Sequence, residues 1–341
     1  MIVEQAAPLD PISLRSIGQV SLSLGDRNER ITMPKLTKMA QRDAKKAFSD
    51  GLHEFIARMR EHVSADDGDW TVKGFIDIYK NIYTISADTK IVSKILEIHL
   101  FPQILQFAQE QGYSIVLAEH QNWYPDLSFV NLADERIKFA VDLKTTYRDP
   151  SYPGHVNGFT LGSHGAYFKD RTSTKNIQFP YEKYSGHFCL GIIYTRADAK
   201  DVDETEIITV KELDDDAKQP KRIGQREVTT VESLRSITSV IKDFQFFVCE
   251  KWQLASDRQG SGNTANIGSI TAIDDIVKGN GIFAKLGEDW FDEYWMNYGI
   301  TSMRKGRKTI IIKRLEDFVA FKKGDKSKIV PVASKRKRKA E

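Results

Sequence analysis

Cysteine is nearly absent from this chain: Cys189 and Cys249 are the only two in 341 residues, and no CxxC pair occurs. A disulfide framework and a thiolate zinc site are thereby excluded, and the apolar surroundings of both cysteines predict buried thiols. No secretory leader pattern and no apolar run long enough to span a bilayer occur, so the expected location is the cytoplasm, with no membrane partner. An excess of charge is missing too. The formal net charge is +3, yet the last eight residues, SKRKRKAE, carry five positive charges and one negative, which leaves −1 for the rest. Any nucleic acid must therefore be held by local placement of Lys and Arg rather than by bulk attraction. There is no internal repeat, so two-fold pseudosymmetry within one chain is not expected. With 40% hydrophobic residues the chain can fill one large core.

What is present is a compact charge set. Asp126 follows Pro125 and lies sixteen residues before Asp142, with Lys144 two positions further on, giving YPD and then VDLK. Ile137, Phe139, Val141 and Leu143 alternate with Lys138, Ala140, Asp142 and Lys144, which predicts a strand with Asp142 and Lys144 on one face. Tyr113 to Ala118 and Tyr124 to Val130 read as two further strands, and antiparallel pairing of the last would bring Asp126 to Asp142. Two carboxylates can hold a hard cation, and an ammonium beside them can offset charge on a phosphate attacked by water. Asp-x-Lys on a solvated strand face and Pro-Asp in a turn are the commoner uses of such residues, so the pattern needs context.

A predicted helix from about Lys90 to Gln111 supplies some. Asp88 is its N-cap, Gly112 its stop and Pro102 a kink, and Ile91, Ile95, Ile98 and Phe101 recur at helical spacing. Glu97 on this helix is a candidate third carboxylate. The second informative segment is Gly260-Ser261-Gly262-Asn263-Thr264-Ala265-Asn266-Ile267-Gly268-Ser269, small and polar throughout. Such a loop lets backbone approach a ligand and can match base edges in the major groove. A phosphate cradle is disfavoured because no GK[ST] follows.

These residues carry a resemblance. The chain is similar to the EcoRV family of type II restriction endonucleases through SADTK (86–90), Glu97, QNWYPD (121–126), AVDLKTTY (140–147) and FTLGSHGAYFKDRTSTKNIQFPYEKY (159–184). It continues through IIYTR (192–196), KWQLASD (251–257), GSGNTANIGSI (260–270), GNGIF (279–283) and YWMNYGITS (294–302). The resemblance implies a PD-(D/E)xK nuclease: an α/β fold with a mixed central sheet flanked by helices, a homodimer, and Mg²⁺-dependent cleavage of double-stranded DNA at a short palindrome. It implies Asp126 and Asp142 as metal ligands, with Glu97 as an auxiliary carboxylate of the same metal set, and Lys144 as the residue that orients or activates water and stabilises the transition state. Gly260, Gly262, Asn263 and Thr264 match the loop that reads the major groove, Gln121 and Asn122 the minor-groove loop. Thr145, Thr146, Lys90 and Lys175, with Arg196 less clearly, match positions beside the phosphate backbone. The expected target is GATATC, cut bluntly at its centre, and the expected companion is a DNA methyltransferase acting on the same site.

The chain departs from the family pattern in places. Ala265 replaces a threonine, Trp123 a histidine beside the minor-groove contacts, and Ile300 an arginine before the TS pair. Residues 1–60 read as an added, helical N-terminal extension, 61–325 as the nuclease domain and 326–341 as a disordered basic tail. Asp198, Asp201, Asp203, Glu204, Glu206, Glu212 and Asp214 to Asp216 mark an acidic insertion near 198–221, read as a solvated loop rather than a second metal site. Ile311, Leu315, Phe318 and Val319 predict a last helix, with Arg304 and Lys305 before it as phosphate contacts. Two other classes stay open: a PD-(D/E)xK nuclease of repair or resolvase type, and a sequence-specific DNA-binding protein without catalysis. The base-reading loops argue against the first, and intact Asp126, Asp142 and Lys144 against the second.

Overall fold

The computed structural model describes residues 37–198, 202, 203, 205–210, 225–228, 231–260 and 265–333. The extension up to residue 36, most of the acidic segment, Gly262, Asn263, Thr264 and the tail from 334 lie outside the described residues. The centre is a five-stranded mixed sheet of β1 (Tyr113–Leu117), β2 (Leu127–Asn131), β3 (Lys138–Tyr147), β4 (Gly186–Arg196) and β5 (Ile241–Glu250), in spatial order β5-β4-β3-β2-β1. Only β3 and β4 run parallel; the other neighbours are antiparallel. The alternation read from residues 137 to 144 is therefore a strand buried on both faces, and its two faces meet different cores.

Phe139 and Val141 point into a core closed by two long helices, α1 (Lys38–Val63) and α2 (Thr89–Glu110). α1 starts where the Thr37 hydroxyl accepts the Ala40 N–H, and Phe48, Leu52, Phe55, Met59 and Val63 form its single buried stripe. It runs unbroken across residue 60, so the helical part of the expected extension is an integral wall of this core. α2 is capped by Asp88, which accepts from the Lys90 and Ile91 N–H groups, and continues through Pro102. Its buried stripe is Val92, Leu96, Leu100, Ile104 and Phe107. Of the residues that recur at helical spacing, Ile95 is buried, whereas Ile91 and Ile98 are 42% and 65% exposed. A helix apolar on several sides leaves its orientation undetermined until the sheet is placed against it.

Ala140, Asp142 and Lys144 face the opposite side, where Cys189, Ile193 and Phe247 of neighbouring strands meet an aromatic core containing Tyr124, Tyr167, Phe168, Tyr181 and Trp295. Both cysteines are buried and free, as expected. A three-stranded ladder of Ala255–Gln259, Asn266–Ser269 and Thr160–Ser163 flanks this core. Part of the acidic segment corrects the reading of a solvated loop. Ile207–Val210 is a strand paired with Asn81–Thr84, and Ile208 is fully buried between Ile82 and Ile237. Ile311 belongs not to the last helix, Leu315–Phe321, but to a hairpin of Ser302–Lys305 and Lys308–Ile311. The chain past residue 325 is likewise packed as far as it is described: Lys326–Lys328 form a short turn, and the Val330 N–H donates to the Ile282 carbonyl. Among the described residues no helix is long and apolar enough to cross a membrane.

Candidate active site

The antiparallel register of β2 and β3 builds the site. Leu127 pairs with Val141, so Asp126, the residue entering β2, falls beside Asp142. The Asp126 Oδ2 accepts the Leu143 N–H at 2.8 Å, and the Asp126 N–H donates to Asp142 Oδ1 at 3.2 Å. Lys144 Nζ lies 3.0 Å from Asp142 Oδ2 and 4.0 Å from Asp126 Oδ2. The loop before Asp126 is fastened by its neighbour: the Tyr124 N–H donates to the Asn176 carbonyl and the Gln178 N–H to the Tyr124 carbonyl. The Tyr124-Pro125 peptide is cis.

Burial, with Asp142 and Glu97 nearby, pushes the Asp126 carboxyl from the ordinary 3.8 up to about 6, against the lowering pull of Lys144 and the Leu143 N–H. Burial alone would depress the Lys144 ammonium, but Asp142 and Asp126 overcome it and hold it protonated, well above the ordinary lysine value. The folded chain thus keeps the Asp126 proton up to about pH 6, while an unfolded chain releases it near 3.8. That difference favours the folded state at low pH and is lost as pH rises through about 6. Asp126→Asn, a mimic of the protonated acid, is therefore expected to gain melting temperature over the parent as pH rises from about 4 to about 7 without metal. A gap that stays constant across this range would show that the carboxyl is not raised.

The three groups open into a cleft of about 310 Å³ that is also lined by Gln121, Asn122, Trp123, Tyr124, Gly162, Ser163, Tyr167, Asn176 and Asn266. The structure thus gathers Asp126, Asp142, Lys144, Gln121 and Asn122 in one place. It does not gather the rest there. Glu97 is close enough to raise the Asp126 proton affinity but is ion-paired with Lys94. Among the described residues no three His, Cys, Asp or Glu side chains converge as a metal cluster. Thr145 is hydrogen-bonded to Ser93 of α2 on the other face, and Thr146 is buried, 3.5 Å from the Gly158 carbonyl. Lys90 and Lys175 are exposed outside the cleft. Arg196 stacks over the Tyr147 ring. Gly260 lines a separate, larger cavity of about 700 Å³ with Arg258 and Arg314, which contains no comparable pair of carboxylates with a lysine.

Sequence reading missed the aromatic floor. Tyr124 and Tyr167 stack at 5.3 Å, and the Tyr124 hydroxyl is hydrogen-bonded to the buried His187 at 2.8 Å. Their only trace in the sequence is a concentration of tyrosines between 124 and 184. For a metal, the chain offers two hard carboxylates side by side, one of them 39% exposed toward the cleft and unusually proton-loving. Paired carboxylates supply the negative charge and hard oxygens that a divalent cation takes, and Mg²⁺ commonly takes only one or two carboxylates, completing its shell with water and phosphate oxygens. Asp126 and Asp142 fit that requirement.

Comparison with known proteins agrees in extent and order. The family model of the restriction endonuclease EcoRV matches residues 66–223 and 215–323. The type II restriction enzyme EcoRV of Escherichia coli is 33% identical over 240 residues, which make up 70% of this chain and 86% of that enzyme.

Proposed function

Since the chain belongs to the EcoRV family of restriction endonucleases and is a type II site-specific deoxyribonuclease, we propose that Asp126, Asp142 and Lys144 hydrolyse a DNA phosphodiester with Mg²⁺ in the 310 Å³ cleft. The observation carrying this reading is the convergence of two carboxylates and a protonated lysine at the cleft floor. Asp126 and Asp142 would hold the cation, which when bound lowers the pKa of water and polarises the phosphate. Lys144, fixed by Asp142, presents its remaining N–H donors to the attacking water and to the non-bridging oxygens. It thus opposes the charge that builds as the new P–O bond forms and the bond to the leaving sugar oxygen breaks. Asp142 keeps the ammonium oriented, and Glu97 acts at longer range on Asp126.

Gln121 and Asn122, exposed at the cleft mouth, are the proposed minor-groove contacts. Gly260, Gly262, Asn263 and Thr264 are the proposed major-groove readers. Lys90, Lys175, Thr145 and Thr146, together with Arg304 and Lys305 on the exposed hairpin, are assigned to phosphate contact or to organising the site. Phosphate contacts fix register and base contacts fix sequence. The proposed target is GATATC cut bluntly, with the central TA step read through its ease of kinking. A palindrome calls for a two-fold dimer. Exposed apolar residues Phe75, Ile76, Ile78 and Tyr79 on the 74–84 hairpin are a surface suited to self-association. A companion methyltransferase of the same specificity would protect host DNA.

Digestion of a sequenced plasmid with Mg²⁺, with and without EDTA, followed by sequencing of the ends, tests the whole reading. Blunt, EDTA-sensitive ends at GATATC are expected. Discrete cuts elsewhere would discard the target and direct attention to Trp123 and Ala265, and binding without any cutting would discard the catalytic assignment.

A further inference from the structure

Lys251 follows the last residue of β5, Glu250, and opens the one-turn helix Lys251–Leu254. Its side chain turns inward and is 2% exposed. Among the described residues the ammonium has no hydrogen-bond partner; it rests against the rings of Tyr124, Phe168 and Tyr181 at 4.6, 5.4 and 5.5 Å. Ring faces return only part of the hydration that a buried cation loses. The site is thus costly to the fold, and an apolar side chain of the same length would fill it more cheaply.

The position of the charge is informative. Tyr124 and Gly162 both line the active-site cleft. A Cβ on Gly162 would stand 3.5 Å from Lys251 Nζ, 3.5 Å from the Tyr124 ring and 2.9 Å from the Tyr167 hydroxyl. Gly162 has φ +82°, so a side chain is disfavoured there twice over, by backbone and by space. The ammonium thus lies directly behind the Gly162 and Tyr124 part of the cleft wall. Burial draws the Lys251 pKa down to about 8; among the charges around it Asp142 and Asp292 pull it up, and Lys144 pushes it down. Both carboxylates already have a cation, Asp292 in Arg171 at 2.7 Å and Asp142 in Lys144 at 3.0 Å, and Asp142 acts the more strongly of the two on Lys251.

We propose that Lys251 is a positioning residue of the hydrolysis: a fixed second cation beneath the cleft that offsets charge gathering on the scissile phosphate without ligating it. The inference rests on the reading of Asp126, Asp142 and Lys144 as the catalytic centre. Its charge acts through an apolar, water-poor layer, where fields decay least.

The test is Lys251→Met, which keeps length and apolar contacts and removes the charge. Four measurements are expected to separate. Melting temperature stays level or rises, because a costly buried cation is gone. Binding of the target duplex without metal is unchanged. Mg²⁺ binding to the free protein, followed by calorimetry, tightens because a repelling charge has left. Turnover falls by about tenfold or more, in kcat rather than KM. A structural role alone would lower melting temperature and weaken metal binding. A stable Lys251→Met enzyme that cuts at the parental rate overturns the proposal. Should it fail to fold, Lys251→Gln and Lys251→Arg take its place, and a glutamine variant as fast as the arginine one overturns the proposal equally. Lys144→Ala in parallel separates the two layers: normal cutting by it discards the catalytic centre, whereas its failure beside a fully active Lys251→Met discards Lys251 alone.

Discussion

Lys144→Ala is expected to cut its target about 10²- to 10³-fold more slowly than the parent chain while binding the same duplex with nearly unchanged affinity. The reason is local. Lys144 touches Asp142 at 3.0 Å and reaches Asp126 at 4.0 Å, so its charge is committed to the cleft floor rather than to long stretches of phosphate backbone. Its removal leaves two carboxylates facing each other in a poorly hydrated corner. The nearest side-chain cation opposing charge on the phosphate at the moment of attack is then gone, and a loss confined to the transition state shows in kcat. Lys144→Arg should recover little, since a planar fork cannot occupy the place of a compact ammonium only 18% exposed. Single-turnover cleavage with saturating enzyme, beside a binding titration without metal, reads both quantities. An alanine variant cutting at the parental rate would remove Lys144 from the mechanism.

Phe48→Ala is expected to cost about 3–5 kcal/mol of folding stability, among the largest losses a single substitution brings. Phe48 is 1% exposed, lies stacked on Phe139 at 4.3 Å and meets Phe129 and Tyr113 edge-on at 5.1 and 5.2 Å. Phe139 belongs to β3, three residues before Asp142, so the cavity would open directly behind the strand that carries Asp142 and Lys144. Urea denaturation followed by fluorescence measures it. A cost below about 1 kcal/mol would mean that α1 is an appendage on the domain and not a wall of it.

That helix marks where sequence reasoning stopped. The β3 strand and its antiparallel partner were legible because strict alternation has one geometric meaning, and with it came the meeting of Asp126, Asp142 and Lys144. The α1 stripe of Phe48, Leu52, Phe55 and Met59 was legible as helix but not as core, since periodicity names a buried face without naming what buries it. α2 misled for a related reason: Ile91 and Ile98 are as apolar as Val92 and Leu96, and only packing chooses between them. Ile207–Val210 was hidden by the acidic residues around it, whose charge outweighed one fully buried isoleucine. Lys251 carried no signal at all, because a lysine after an apolar strand ordinarily turns to water. Of the segment 260–269, read from composition as a loop, Asn266–Ser269 is a strand of the ladder, residues 261–264 lie outside the described residues, and the flanks are seen at Gly260 and Ala265.

Those flanks belong to the ladder beside the cleft. Asn266 pairs with Ser163, both residues line the cleft wall, and the Ala265 carbonyl accepts the His164 N–H at 2.8 Å. The strand that leaves the proposed base-reading segment is therefore, within one residue, also a wall of the reaction chamber. On the proposed reading, a wrong base that displaced Ala265 would shift Ser163 and Asn266 with it, so an error at recognition would be expressed as lost speed. Fidelity would then be enforced twice, once as affinity and again as turnover, by a single piece of backbone.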